Sequence, residues 1–182
     1  MRYRGLRMVS GFLLSAILGF APPVLALEVG QPAPQLTVQK FDGSSFNLAA
    51  ERGKVVIVNF WATWCPPCRA ELPALKAVYD RYHSKGLELI ALSLDRSHDR
   101  NEAVRMMSEY GLPGAMRDDA SADGFGQPGT LPVTVIIGPR GEVRAIHTPD
   151  QPELTETSLS AVVAPLLARR SSPSAHPTGT VD

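Results

Sequence analysis

The feature that most constrains the fold is a pair of cysteines placed where an apolar run passes into a helical pattern. Residues 55–61 form a continuous apolar, largely β-branched run, which is typical of a central strand buried on both faces. Cys65 and Cys68 follow it, and from Pro66 onward apolar residues recur at helical spacing. This order predicts that the first thiol lies at the helix N-terminus and the second one turn in. Such a position favours a thiolate at Cys65.

The pattern around this junction predicts an α/β fold. Before it, residues 36–38 and 45–47 flank Asp42-Gly43, a dipeptide that favours a tight hairpin turn. Residues 114–129 show little periodicity and predict a loop with at most a short helical turn. The other predicted elements are a strand at 87–94, a helix at 101–110, a hairpin of strands at 133–137 and 142–146, and a last helix at 154–167. We therefore expect a central mixed sheet flanked by helices, with an added N-terminal β-hairpin.

Composition describes one globular domain with extensions and excludes several classes of protein. Basic and acidic residues each number 18, so no net positive charge draws the chain to nucleic acid. Only two cysteines occur, which excludes a disulfide-stapled mini-fold and a four-thiolate zinc site.

The two ends of the chain differ in pattern from the domain between them. Three arginines precede an uncharged apolar stretch over residues 8–21, and small residues up to Ala26 predict a signal peptide over residues 1–26 that is cleaved there. An uncleaved membrane anchor is the alternative. Residues 27–170 form the predicted domain. Residues 171–182 contain almost no apolar residues to bury and are predicted to be a disordered tail. Export to the periplasm would leave a thiol pair oxidised unless another system keeps reducing it.

The C-x-x-C pair allows a structural and a redox interpretation. A structural disulfide across a loop of four residues would stabilise the fold by only roughly 2 kcal/mol before strain is subtracted. A C-x-x-C motif at a strand-to-helix junction inside a βαβ pattern instead indicates redox chemistry.

The stretch around the motif also carries a family likeness. Residues 60–73, with the sequence FWATWCPPCRAELP, resemble the active-site stretch of the thioredoxin-like TlpA/ResA family of exported thiol-disulfide oxidoreductases. The likeness covers residues 30 to about 168, matches poorly over 116–129, and continues in the segments GQPAP (30–34), EYGLP (109–113) and TLPVT (130–134). The resemblance implies a thioredoxin-like fold and an enzyme that exchanges disulfides through Cys65 and Cys68 without a cofactor or metal.

The resemblance also implies residues that bind the substrate. Pro132 would be a cis-proline that faces the thiols, and it would hold the Leu131 backbone free to pair with an extended peptide. An ordinary trans proline that opens a strand is the alternative. Trp61 and Trp64 are each expected to lie partly in the core and partly at the rim of the active site. Pro73 is expected to kink the first helix.

Glu71 is the third predicted catalytic residue. It follows Cys68 by three positions on the same helix face, where the resemblance places a functional carboxylate that can take and return thiol protons. A solvated surface glutamate is the alternative. Asn59 stands where thioredoxin has a buried aspartate, which leaves Glu71 as the candidate acid. The histidines show no metal-site spacing, and each is expected at the surface: His83, His98, His147 and His176.

These features predict a periplasmic protein-disulfide reductase. The Cys65 thiolate would attack a client disulfide, and Cys68 would resolve the mixed disulfide. The expected partners are client proteins with disulfides and a membrane thiol-reductant transporter as electron donor. The enzyme is expected to be a monomer, and the resemblance suggests a role in cytochrome c maturation.

Two other functions compete with this one. A copper(I) metallochaperone of thioredoxin-like fold would hold the metal on both thiolates with a His or Met as third ligand, but Met106 and Met107 lie far along the chain. A peroxidase would need a Pro-x-x-x-Thr-x-x-Cys signature, which the chain does not have.

Overall fold

Residues 27–170 are described by a computed structural model of the chain. The predicted signal peptide and the predicted C-terminal tail lie outside the described residues. The strands are β1 (Leu36–Gln39), β2 (Ser45–Asn47), β3 (Val55–Trp61), β4 (Leu87–Ser93), β5 (Gly114–Met116), β6 (Ala120–Asp123), β7 (Val133–Ile137) and β8 (Val143–His147). The α-helices are α1 (Pro66–Tyr82), α2 (Arg100–Tyr110) and α3 (Glu156–Arg170). Within residues 27–170, no helix combines the length and the apolar character that crossing a membrane requires.

β3 is the central strand because it buries apolar side chains on both faces. β4 pairs with it in parallel and β7 antiparallel, in a mixed sheet of order β5-β4-β3-β7-β8. Val55 and Ile57 pack in one cluster with buried residues of all three helices. Val56 and Val58 pack in a second cluster with residues of β1 and β2. The period of two along β3 therefore places the helices on one face of the sheet and the N-terminal hairpin on the other.

The predicted N-terminal hairpin is confirmed, but it has a third strand. β1 and β2 pair antiparallel around Asp42-Gly43, where Gly43 has a φ of +84° and Asp42 accepts a hydrogen bond from the backbone N–H of Ser44 at 2.9 Å. β6 pairs with the other edge of β1. The hairpin is thus the centre of a small sheet rather than an isolated addition.

The prediction of a loop over residues 114–129 is wrong for its first half. β5 extends the central sheet beside β4, and a single 3-10 turn over Arg117–Asp119 leads into β6. Gly114 permits this, since a Cβ there would lie 2.6 Å from Cγ of Met107 and 2.9 Å from Cε2 of Phe41. Both strands are very short and β6 is not an apolar run, so neither produces a detectable period.

The helices lie close to their predicted positions. α1 begins at Pro66 as expected and runs through Pro73 without ending there. α3 begins later than predicted, at Glu156, because the hydroxyl of Thr155 accepts a hydrogen bond from the N–H of Ser158 at 3.1 Å and caps the helix.

This topology gathers the functional candidates at one edge of the sheet. β3 and β4 are parallel, so their carboxyl ends lie side by side, and the antiparallel β7 starts at the same edge. The C-x-x-C motif follows β3, and Pro132 immediately precedes β7. Residues distant in sequence thereby meet around the thiols.

Candidate active site

The two cysteines lie at the junction between β3 and α1. Cys65 is the N-cap residue of α1, and its sulfur accepts a hydrogen bond from the backbone N–H of Cys68 at 3.2 Å. The two are joined by a disulfide, and only 4% and 1% of their respective surfaces are exposed. The helix N-terminus and this N–H both favour negative charge on the Cys65 sulfur when the pair is reduced. The thiols therefore occupy the positions that the sequence predicts.

A groove of about 500 Å³ opens beside Cys65, and Cys68 does not line it. Trp64 stands at its rim with 65% of its surface exposed. Trp61, in contrast, is fully buried, so the expectation that it lies partly at the rim is wrong. The alternation of side chains along β3 directs Trp61 toward the core beneath the helices. The groove is lined by Trp64, Cys65, Pro66, Pro67, Leu94 and residues 127–131.

The Leu131-Pro132 peptide bond is cis, as the family resemblance implies. Pro132 is buried, and Leu131 is half-buried and lines the groove. Leu131 lies two residues before the start of β7, so its backbone is at the end of the central sheet. It lines the same groove as Cys65. The predicted substrate-binding residues Trp64, Leu131 and Pro132 are thus brought together around the disulfide.

The segment that leads into the groove-lining residues 127–131 is anchored by contacts that the sequence does not predict. The Phe125 ring packs against Phe60 of β3 with centroids 5.6 Å apart. Arg117 donates to a carboxylate oxygen of Asp123 at 2.6 Å and to the carbonyl of Gly126 at 2.8 Å. These contacts fix the segment before residues 127–131. The sequence signal for this role is a single arginine within a segment rich in glycine and aspartate.

A buried carboxylate supports the turn that carries the cysteines. Asp95, 2% exposed, accepts hydrogen bonds from the backbone N–H of Thr63 at 3.0 Å and from its hydroxyl at 2.7 Å. Ser93 donates to the same carboxylate at 2.6 Å. Asp95 therefore ties the end of β4 to the loop before Cys65. Its place directly after an apolar strand could have indicated this role.

Asn59 fills the buried position that thioredoxin gives to an aspartate. Its side-chain amide donates to the hydroxyl of Thr134 on β7 at 2.9 Å, and both residues are about 1% exposed. This position therefore holds a neutral hydrogen bond and no ionisable group.

Glu71 is buried on α1 and is not a solvated surface residue. It is 5% exposed, and within the described chain its Oε2 has no hydrogen-bond partner. The pKa of Glu71 is raised to about 7, mainly because burial disfavours the charged carboxylate. A hydrogen bond with the Leu154 backbone opposes this rise, and the nearby Glu153 carboxylate adds to it. A carboxyl group with this pKa can both take and release a proton near neutral pH.

His147 lies against Glu71, and the prediction of a surface position for it is wrong. Its side chain is only 16% exposed, and its Nε2 lies 3.7 Å from Oε1 of Glu71. Burial lowers the pKa of His147 below its usual value. The prediction failed because the contact between His147 at the end of β8 and Glu71 on α1 joins residues that lie far apart in the sequence. The side chains of His83 and His98 are exposed as expected, and His176 lies outside the described residues.

The described residues offer little support for a metal site. Within residues 27–170, no group of three or more His, Cys, Asp or Glu side chains is placed to hold a metal ion. Met106 and Met107 are buried on α2, and neither lines the groove beside Cys65.

Comparison with known proteins now identifies the family. The family model described as "AhpC/TSA family" matches residues 29–146, which is more than half of the chain. The chain belongs to the AhpC/TSA family. This AhpC/TSA protein is 34% identical over 128 residues to the thiol-disulfide oxidoreductase ResA of Bacillus thuringiensis (strain Al Hakam), a match that covers 69% of this chain and 72% of the relative. It is 32% identical over 152 residues to the ResA of Geobacillus thermodenitrificans (strain NG80-2), covering 79% of this chain and 86% of the relative.

Solved structures agree with these relatives. A thiol:disulfide interchange protein of the thioredoxin family from Chlorobium tepidum TLS is 27% identical, with a TM-score of 0.60, and the match covers 75% of this chain and 96% of that one. The thioredoxin-like fold and the resemblance to ResA are therefore confirmed. This member of the AhpC/TSA family is a thiol-disulfide oxidoreductase of the ResA type with the pair Cys65 and Cys68.

Proposed function

We propose that the protein is a periplasmic reductase of disulfides in client proteins. The supporting observation is the asymmetry of the two cysteines: Cys65 lines the groove, whereas the more buried Cys68 does not. A client sulfur approaching along the groove meets Cys65 first. Cys68, one helical turn further, is placed to attack only after a mixed disulfide has formed.

The reaction then proceeds in two exchanges. The Cys65 thiolate attacks one sulfur of the client disulfide, the client S–S bond breaks, and the departing client thiolate takes a proton from water. Cys68 gives its proton to Glu71, and its thiolate attacks the Cys65 sulfur. The second client thiolate leaves, and the Cys65–Cys68 disulfide carries the two-electron oxidation. A membrane thiol-reductant transporter is the proposed source of electrons for the next cycle.

The groove suits an extended client segment. Its mostly nonpolar walls include Trp64 and Leu131, and the end of the central sheet offers backbone for strand-like pairing. We propose apocytochrome c, whose C-x-x-C-H haem-attachment cysteines must be reduced, as the first client to test.

The test is a single-turnover reaction between the reduced protein and an oxidised C-x-x-C-H peptide, followed by alkylation of the peptide thiols. We expect two peptide thiols for each Cys65–Cys68 disulfide formed, and no peptide thiols with Cys65→Ser. An oxidised linear peptide with a distant cysteine pair serves as the comparison substrate. Formation of peptide disulfides from peptide thiols under the same conditions, without the reverse reaction, would contradict the proposal.

A further inference from the structure

We propose that His147 relays the proton of Glu71 to solvent during the attack of Cys68, so that the two side chains act as one proton channel. This inference rests on the proposed reductase function and deepens it. It starts from the burial of Glu71. A carboxyl group that is 5% exposed and has an oxygen with no partner among the described residues needs an exit for each proton it receives.

The sheet register places the imidazole at that exit. Thr134 of β7 pairs with Asn59 on one side and with His147 on the other, so the three residues form a row across the sheet. Directly paired residues point to the same face, and odd-numbered residues of β3 face the helices. His147 therefore points toward α1, where its Nε2 lies 3.7 Å from Oε1 of Glu71.

A solvent-facing pocket joins the pair to the outside. Glu71 and His147 both line a pocket of about 240 Å³ that adjoins the client groove at Pro67, whereas neither residue lines the groove itself. Pro67, which lies between the two cysteines in the sequence, and the cis-proline Pro132 also line it. A proton can therefore leave through this pocket while a client occupies the groove in front of Cys65.

The charges around the pair suit proton transfer. Two further titratable groups face the Glu71–His147 pair: Glu153, which precedes α3, and Asp150, which follows β8. Burial keeps the pKa of His147 below its usual value, so the imidazole is mostly neutral at pH 7 and can accept a proton. The Gln151 side chain and the Asp150 carboxylate both favour the protonated imidazole and thereby assist the transfer.

Each step conserves protons and electrons. Cys68 gives its thiol proton to the Glu71 carboxylate, and the resulting thiolate breaks the mixed disulfide. Glu71 then passes the proton to His147, which releases it to water in the pocket. Both side chains end in their starting protonation states, and no further oxidant or reductant is required.

The test is the rate of mixed-disulfide resolution in His147→Ala, measured at saturating client disulfide so that the attack of Cys68 limits the rate. At pH 7 we expect the rate to fall by roughly tenfold to a hundredfold. The deficit should shrink as the pH rises, because solvent hydroxide then takes up the proton that the relay would otherwise carry. Added imidazole should restore the rate in His147→Ala, since the substitution opens space for it in the pocket.

Two further variants separate a relay from a packing effect. His147→Gln keeps a polar side chain of similar size but cannot carry the proton, so it should lose as much rate as His147→Ala. His83→Ala is the matched control, because His83 lies after α1, far from the thiols, with an exposed side chain that bonds the carbonyl of Leu87. Its rate should equal that of the unaltered protein, with or without imidazole.

The outcomes are distinguishable. A deficit that is equal at every pH and insensitive to imidazole would overturn the relay, as would rates in His147→Ala within about twofold of the unaltered protein. In both cases the unaltered protein still reduces its client, so the proposed function stands. If the unaltered protein releases no client thiols, the reductase function itself fails.

Discussion

At the scale of single residues, we expect the position of each thiol relative to the groove to decide which cysteine meets a client. Cys65 lines the groove and Cys68 lies behind it with 1% exposed surface. We therefore expect Cys68→Ser to stop the reaction after the first exchange and to leave the client linked to Cys65. Non-reducing mass spectrometry of the product measures this. Adducts recovered from Cys65→Ser instead would reverse the assigned roles.

The buried carboxyl of Glu71 predicts a pH-dependent change in stability. Its pKa is raised to about 7 in the folded protein from an ordinary value of 4.5. The folded state therefore holds this proton more tightly, and stability falls as the pH rises between these two values. Above about pH 7 the full cost of burying the charge is present. We expect Glu71→Gln to be more stable than the unaltered protein at pH 8, by about 3 kcal/mol.

Chemical denaturation at pH 8 and at pH 4 tests this prediction. At pH 4 both proteins are neutral at position 71, so the gain should largely disappear. The comparison also cancels the contribution of His147, whose lowered pKa acts in the opposite direction. A gain of equal size at both pH values would show that burial of charge is not its cause.

At the scale of elements, we expect the segment between β6 and β7 to set how a client is held. Arg117 anchors this segment by donating hydrogen bonds to the Asp123 carboxylate at 2.6 Å and to the Gly126 carbonyl at 2.8 Å. Arg117→Met should loosen the wall of the groove and raise KM for a folded or peptide client by roughly threefold to tenfold, with kcat little changed. Reduction of a small disulfide that does not fill the groove should keep its rate. An equal loss for both substrates would place the effect at the thiols.

Elements with a strong local signal could be predicted from the sequence, and elements held by distant contacts could not. β3 shows its burial in a run of β-branched and aromatic residues that only Asn59 interrupts, and β7 in a run of valine, threonine and isoleucine. β5 and β6 are three and four residues long and exist because other strands offer them an edge. Local pattern does not report such pairing.

The same distinction separates the parts of the candidate site. The thiols are fixed by local sequence, because a helix that starts directly after a strand places Cys65 at its N-cap. The burial of Glu71 depends on the segment around Leu154, and the approach of His147 depends on the register of β8. Both contacts cross long sequence distances, so periodicity predicted neither.

At the scale of the whole molecule, the direction of electron flow depends on how well the fold stabilises the Cys65 thiolate. Position 66 is N1 and position 67 is N2 of α1, and both are prolines, which have no N–H. The N–H of Cys68 remains as the donor to the sulfur. Weak stabilisation of the thiolate lowers the reduction potential, so we expect a value nearer roughly −270 mV than roughly −120 mV. Equilibration with glutathione buffers measures it, and a value above about −160 mV would indicate an oxidase.

The two prolines also allow the cause of that potential to be tested. An N-cap side chain accepts hydrogen bonds from the N–H groups at N2 and N3 but not from that at N1. Pro67→Ala supplies a new donor at N2 and should stabilise the reduced thiolate, which raises the potential by about 10 to 30 mV, the effect of a hydrogen bond of about 0.5 to 1.5 kcal/mol. Pro66→Ala is the matched control, because its new N–H at N1 is not directed at the sulfur. Equal shifts in both variants would mean that proline rigidity, rather than the missing donor, sets the reduction potential.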